Sequence, residues 1–385
     1  MLMVACAMLV IMGLLAVYTS SFAVGYHEFG DTNYFVARQA VFALLGVGAL
    51  VLFMRMDYNR FRVWSVPMLL LALAGLIAVL LPGVGVERNG ATRWLAFGPI
   101  SVQPSEFAKL AVIIYIAAWL ASRGKDIRQF SLGFVPFVLM LGIVGGLIIA
   151  EPDMGTTIII FLTASTLFFV AGAPLSHLAL LIATGGIISY AVILQRDYQL
   201  ERLALFVNPE SDPEGGGFQI LQLLVALGSG GPLGLGWGEG RQKFFYVPGS
   251  HTDGVFAILG EEVGFFGLLA ILGIFAFFIY RATLVTLHSR DRFSMLLCIG
   301  VIAWISGQTL INIGGITHTI PLTGVPLPFL SYGGSSLIML MAAVGVLLSV
   351  SRYSSGEVVQ TRPAPAKTKR KAAPARRPVY GRGSI

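Results

Sequence analysis

Apolar residues in this chain come in unbroken runs of about 20, the length that carries an α-helix across a bilayer. The polar positions collect between them. Such runs lie near residues 3–24, 36–54, 63–82, 104–121, 131–150, 154–172, 175–194, 255–280, 294–313 and 333–351. The pattern predicts ten transmembrane helices. A closed outer-membrane barrel would instead show alternating segments of about 10 residues, which are not seen. The fold class is therefore an all-α polytopic membrane protein, with one long hydrophilic interruption at about 195–252, between the seventh and eighth helices.

Composition agrees with the pattern. Hydrophobic residues make up 56% of the 385 and charged ones 12%, against about 45–50% and 25% in soluble domains. No formal charge precedes Glu28. The first run lacks the basic flank and short core of a cleavable signal, so it reads as a retained span. Cys6 and Cys298 both sit in apolar runs. They read as small buried hydrophobes, not as a disulfide framework or metal site.

The net charge of +7 would suggest nucleic acid in a soluble chain, but its distribution argues otherwise. From Arg352 onward there are nine Lys/Arg and one acid, so the body before it is close to neutral. With the N-terminus inside, the loops 55–62, 123–128, 171–176 and 281–292 plus the tail hold 18 of the 26 bases and 4 of the 19 acids. Lys/Arg excess marks the cytoplasmic side, so both termini are expected there. The Pro/Ala/Lys/Arg-rich stretch 354–385 is expected to be a disordered basic tail that touches anionic lipid. No nucleic-acid partner is implied.

The candidate chemistry falls on the other face. The 195–252 segment is long enough to be functional, and its apolar patch FQILQLLVAL is too short to span. That patch is expected to lie in the interface or to re-enter partway, where protein covers its backbone. The segment ends in HTDGVFAILGEEVGFFG. Ser250 or Thr252 is expected to cap the eighth span, placing Asp253 in the first helical turn, ionised and favoured by the helix dipole. Glu261 and Glu262 lie about 12–14 Å further along the helix. A glycosidase commonly needs two flanking carboxylates. A donor with a pyrophosphate leaving group needs only one base on the acceptor hydroxyl, plus cations for the phosphates. Arg241 and Lys243, just upstream, are candidates for the phosphates. An acid at a helix start is equally an ordinary dipole-stabilised residue, and basic residues beside a span equally meet lipid headgroups.

Other segments share this face. Arg88 and Arg93 are outer cations near Trp94 and Phe97. Pro104 and Ser105 suit a helix start, after which Glu106 and Lys109 pair at i, i+3. Such a pair inside a span is either functional or a structural bridge. Glu151-Pro152-Asp153 separates the fifth and sixth spans. THTIPLTGVPLPFLSYGGSS precedes the tenth, where Pro321, Pro326 and Pro328 forbid helix. His251 and His318 are either ligands or hydrogen-bonded structure.

The stretches RNGATRWLAFGPISVQPSEFAKL, EPDMGT, FQILQLLVALGSGGPLGLG, HTDGVFAILGEEVGFFG and PLPFLSYGGSS together resemble the SEDS proteins (shape, elongation, division and sporulation). The resemblance covers roughly residues 1–353 and leans toward the FtsW branch, with a RodA-like PLTGVPLPFLSYGG. It implies a peptidoglycan glycosyltransferase that polymerises lipid II on the outer face of the bacterial cytoplasmic membrane, at the division septum. An elongation polymerase, a lipid II flippase and a non-catalytic scaffold are the rival readings. The resemblance puts the family's essential Asp on Asp253 and its QPSE-x-x-K pair on Glu106 and Lys109. Arg241, Lys243, Arg88, Arg93 and His251 then face the pyrophosphate. Glu151, Asp153, Gln219 and Ser331 support the site. It implies release of undecaprenyl pyrophosphate and partnership with a class B penicillin-binding protein and other division proteins. A divalent cation, magnesium or manganese, is a candidate cofactor, and no nucleotide-binding motif is present. Two departures stand out: Gly254-Val255 where the family has Phe-Ile, and Leu223 where Ser is common. Loss of the aromatic at Gly254 is expected to widen the pocket or loosen the helix start.

Overall fold

The structure is a computed structural model that describes residues 1–354 apart from Asn89, Gly90, Pro99 and Arg196. The basic stretch expected as a disordered tail lies outside the described residues.

Twelve α-helices follow one another: α1 (Leu2–Phe29), α2 (Tyr34–Arg55), α3 (Tyr58–Leu80), α4 (Pro104–Arg123), α5 (Val135–Ala150), α6 (Met154–Val170), α7 (Leu175–Leu194), α8 (Asp197–Val207), α9 (Gly216–Ser229), α10 (Val255–Leu287), α11 (Arg292–Ile316) and α12 (Gly334–Ser354). Each of the ten predicted spans falls on a helix. Nine of the described segments are long and apolar enough to cross a membrane. The tenth, α6, has 17 residues, at the short end of the spanning range of about 17–25.

Two parts of the chain depart from expectation. Residues 85–102 form a three-stranded antiparallel sheet, β1 (Gly85–Arg88), β2 (Ala91–Phe97) and β3 (Ile100–Val102), so the fold is not purely α. The sequence signal was the dipeptide Asn-Gly, a favoured hairpin pair, between Arg88 and Ala91, which are cross-strand partners. The interruption at 195–252 is likewise not one irregular loop, because it contains α8 and α9.

Burial ranks the helices. In α4, residues Ala108–Ala118 are buried save Tyr115, whereas α7 buries only Leu181. A helix that is apolar all round belongs in the interior or against lipid, and these two are the extremes. Small residues let neighbours close in: Gly334 lies against Phe42, and a Cβ on Gly345 would come 2.6 Å from the Leu50 carbonyl. Helices without a water-driven force between them associate through such close approaches. The end opposite the sheet is tied by Tyr58 Oη donating to Asp291 at 2.7 Å and by Arg352 donating to the Met54 carbonyl at 3.0 Å.

α10 is broken at Gly264 (φ 68°, ψ −172°). The break frees backbone groups, and the Gly-rich 230–236 segment after α9 takes them up. Leu235 and Gly236 donate to the carbonyls of Glu261 and Glu262 at 3.0 Å, and Phe265 and Phe266 donate to Gly231 and Pro232 at 2.9 and 3.1 Å. This stretch is non-helical backbone covered by protein, whereas the FQILQLLVAL patch is helical and forms most of α9. A Cβ on Gly264 would collide with the Leu233–Gly234 backbone. Gly264→Ala is expected to cost at least about 1–2 kcal/mol from its left-handed φ alone, read as a lowered thermal midpoint of the detergent-solubilised protein.

Candidate active site

At the sheet end the helices leave a cavity of about 290 Å³. It is lined from α2, from β2 and the approach to α4, from the first turns of α4 and α6, and from the segments before α10 and α12. Five predicted residues meet there: Arg93, Glu106, Lys109, Asp153 and Asp253. Lining residues 232 positions apart in sequence are joined there, Gln103 N donating to Ser335 Oγ at 3.1 Å.

Asp253 is not in the first turn of α10, and neither Ser250 nor Thr252 caps the helix. Gly254 is the N-cap, without a side-chain cap bond, and Asp253 stands one residue outside. The PGSHTDG stretch folds onto the Gly249 carbonyl, which accepts from the backbone N–H groups of Thr252 and Gly254 at 2.9 and 3.0 Å and from Thr252 Oγ1 at 3.1 Å. Gly249 has φ 67°, and a Cβ there would sit 2.5 Å from Asp253 Oδ1. Only glycine allows that approach. Burial pushes the Asp253 carboxyl above its ordinary range, opposed by the Thr252 hydroxyl at 3.0 Å and by the nearby Arg202 guanidinium. The expectation of a dipole-stabilised, ordinary carboxylate is thus corrected. Desolvation outweighs the hydrogen bonds that its carboxyl receives from Thr252 and from the backbone N–H groups of Asp253 and Gly254.

In the same cavity lining, Lys109 Nζ is 2.8 Å from Glu106 Oε1 and donates to Gln308 Oε1 at 3.1 Å. Trp304 Nε1 donates to the same Gln308 oxygen at 2.8 Å, and Lys109 lies 5.0 Å from the Trp304 ring centroid. Both charged side chains are nearly fully buried. Removing one member of such a pair leaves an uncompensated buried charge, costing about 3–5 kcal/mol. Glu106 Oε2 has no hydrogen-bond partner among the described residues.

Asp153 caps α6, accepting from Thr156 N at 3.0 Å and Thr156 Oγ1 at 2.9 Å, with Gln103 Nε2 at 3.4 Å. Arg93 donates through Nε to the Glu151 carbonyl at 3.1 Å and through Nη2 to the Pro152 carbonyl. It thus clamps β2 to the corner between α5 and α6. The Glu151 carboxyl is fully buried with neither oxygen bonded among the described residues, and burial raises it to about 8, helped by Asp153 and opposed by Arg93. Glu151 is therefore a neutral acid near pH 7, behind the cavity wall.

The remaining predicted residues lie away from the cavity. Lys243 is not available to phosphate: it is buried, 2.7 Å from Glu262 Oε1, and donates to the Gly238 carbonyl at 2.6 Å. Arg241 is exposed, and its backbone N–H donates to Glu261 Oε1 at 2.8 Å. Glu261 and Glu262 thus hold the RQK segment on α10. His251 cannot lend positive charge near neutral pH, because burial drops it to about 4. Its ring packs between Phe35 and Tyr332 at 4.5 and 5.7 Å. Gln219 donates to the Pro248 carbonyl at 3.3 Å, tying α9 to the loop, and Ser331 Oγ accepts from Leu327 N at 2.8 Å within the Pro-rich loop. His318 packs on Phe206 at 5.0 Å. The Arg88 side chain lies outside the described residues. Among those described, no three or more His, Cys, Asp or Glu side chains converge as metal ligands, so the side chains alone do not fit a divalent-cation site.

Sequence reasoning passed over Arg38, Gln103, Arg202, Gln308 and Asn312. Arg38 lines the cavity and stacks on Tyr34 at 4.7 Å. Arg202 donates to the Leu322 carbonyl at 2.9 Å. It and Asp253 Oδ2 both lie within 4 Å of where a Gly324 Cβ would stand. Gln308 and Asn312 carried a usable signal, since primary amides inside an apolar span need partners there.

A multi-pass helical bundle with a charged cavity at one end defines a class of membrane protein, and comparison makes it specific. The FtsW/RodA/SpoVE family model, described as a cell cycle protein, matches residues 1–356. Stage V sporulation protein E of Bacillus subtilis (strain 168) is 43% identical over 357 residues, covering 92% of this chain and 97% of that protein. The probable peptidoglycan glycosyltransferase FtsW of Trichlorobacter lovleyi is 40% identical over 344 residues, covering 88% and 89%. The Thermus thermophilus rod shape determining protein RodA superimposes with TM-score 0.68 at 26% identity, covering 91% and 95%. A chain from a structure described as the coordination of polymerization and crosslinking by a peptidoglycan synthase complex gives 0.76 at 28%, covering 92% and 97%. The chain belongs to the SEDS family, the group of FtsW, RodA and SpoVE.

The two departures from the family pattern meet in space. A Cβ on Gly254 would stand 3.4 Å from Leu223 Cδ2 and 3.1 Å from Val247 Cγ1. A side chain at Gly254 would meet Val247 and Leu223, so the space beside Gly254 is filled. Gly254→Phe is expected to lower the thermal midpoint, and Leu223→Ser to recover part of the loss. A double-mutant cycle should give a favourable coupling of about 0.5–3 kcal/mol.

Proposed function

We propose that this chain polymerises lipid II into glycan strands on the outer face of the cytoplasmic membrane, by inverting transfer with Asp253 as general base. The observation that carries this reading is the cavity that Asp253 shares with Lys109, Arg93 and Arg38. A desolvated carboxylate with a raised pKa is a stronger base for a sugar hydroxyl than a solvated one. It accepts the proton of the acceptor 4-hydroxyl, and that oxygen attacks the anomeric carbon of the lipid-linked donor as undecaprenyl pyrophosphate leaves. Arg38, Arg93, Arg202 and Lys109 supply positive potential toward the pyrophosphate. This replaces the assignment to Lys243 and His251, and no step depends on a metal.

A flippase would need polar groups running from one leaflet to the other. Here the polar wall ends at Lys109, and α4 continues as buried apolar residues through Ala118. That favours polymerisation. Lys/Arg bias supports cytoplasmic termini and an outward-facing cavity. The FtsW-named relatives support a division role at the septum, and the description of the synthase-complex structure supports pairing with a transpeptidase, a class B penicillin-binding protein.

Purified protein with its penicillin-binding partner and labelled lipid II tests the chemistry. Wild type is expected to form glycan polymer and Asp253→Ala none; equal polymer from both would overturn the assignment. The rate should rise with pH through an acid limb above the ordinary aspartate value of about 3.9, because the base works only when deprotonated and burial raises its pKa. Depletion in the host should give filaments; rounded, swollen cells would point instead to elongation.

A further inference from the structure

On α11, Trp304, Gln308 and Asn312 recur every four residues and are all buried. Four-residue spacing sets them one above another on a single helical face. Gln308 Oε1 receives Lys109 and Trp304, while its Nε2 donates to the Pro326 carbonyl at 2.9 Å. One turn nearer the sheet end, Asn312 Nδ2 donates both to the Val325 carbonyl at 2.7 Å and to the Asp253 carbonyl at 2.9 Å. The two amides thus take consecutive carbonyls of the Pro-rich loop and, with them, the backbone of Asp253.

The bond to Asp253 has a particular consequence. The first backbone bonds of α10 run from Ala257 and Ile258 to the Gly254 carbonyl. Asp253 therefore precedes the helical ladder, and its carbonyl is held by a side chain from another helix. The N–H of the same peptide, on Gly254, donates to the Gly249 carbonyl at 3.0 Å. Asn312 holds the other side of that peptide and so completes the restraint on the residue that carries the carboxyl.

We propose that Asn312 is a positioning residue for the reaction: its amide fixes the peptide of Asp253 and so holds the carboxyl in the cavity it shares with Lys109. The inference rests on the function proposed above and deepens it. Gln308 ties Lys109 to the Pro-rich loop, so the base and the Glu106–Lys109 pair keep one spacing. A displacement of about 1 Å in such a group costs on the order of 100-fold in rate.

The test is polymerisation kinetics of Asn312→Ala, Asn312→Gln and Asp253→Ala, each with the partner and labelled lipid II, normalised to folded protein. Asn312→Ala should lower kcat by about 10- to 100-fold with KM within about 3-fold. Its acid limb should move to lower pH, because a carboxyl no longer held inside the cavity is better solvated. Asn312→Gln, which keeps the donor, should recover part of kcat. Unchanged kcat and acid limb in Asn312→Ala, with Asp253→Ala inactive, would overturn the positioning role and leave the proposed function standing. Polymer from Asp253→Ala would overturn that function itself. If Asn312→Ala does not accumulate folded, Asn312→Ser, with one donor for two carbonyls, carries the same comparison. A kcat loss with a displaced limb then supports the proposal, and wild-type values overturn it.

Discussion

Polar backbone inside hydrocarbon has to be satisfied by the protein itself, since each orphaned group costs several kcal/mol. In this bundle that constraint acts most visibly at the break in α10. Once Gly264 interrupts the helix, the carbonyls of Glu261 and Glu262 and the N–H groups of Phe265 and Phe266 need partners, and the 231–236 backbone supplies them. The exchange anchors the whole α9 segment to α10. It also sets where the chain re-emerges to form the turn around Gly249. The position of Asp253 thus depends on a helix break about three turns further along the helix.

The same rule governs the charged side chains. Lys109 is held by Glu106 and Gln308, and Lys243 by Glu262 and the Gly238 carbonyl. The two lysines have similar burial and opposite consequences. The first pair lines the cavity and gives it its polar wall; the second holds a surface loop on α10. Paired cations of this kind are retained where an uncompensated charge would be costly, so burial alone does not identify the one that meets substrate. Asp253 differs from both, being half-buried, without a salt bridge closer than 4 Å among the described residues, and raised in pKa.

Much of the architecture was legible from the chain. The ten spans, the Glu106–Lys109 bridge and the Pro-rich approach to α12 follow from length, i, i+3 spacing and proline chemistry. The sheet at 85–102 was missed because a membrane-scale reading averages over short segments, although Asn-Gly marked a hairpin. α8 was missed because it is short, polar on one face and bounded by turn-forming residues. Lys243 and His251 looked like phosphate ligands because a sequence displays charge type and proximity to a motif. It does not display burial, and burial spends one on a salt bridge and neutralises the other.

The sequence by itself determined a polytopic helical protein and the motif that carries Asp253. These are properties of local composition and spacing, which hydrophobic thickness and helix geometry translate directly. Only the tertiary structure decided which charges share a cavity, that Arg38 lines it with the base while Arg241 does not, that Arg202 and Asp253 meet at Gly324, and that Leu223 packs beside Gly254. It also showed the Asn312 amide on the peptide of Asp253, across 59 residues. Such pairings join segments whose separation along the chain carries no information about their distance. They exist because buried polar groups must find one another as the helices pack.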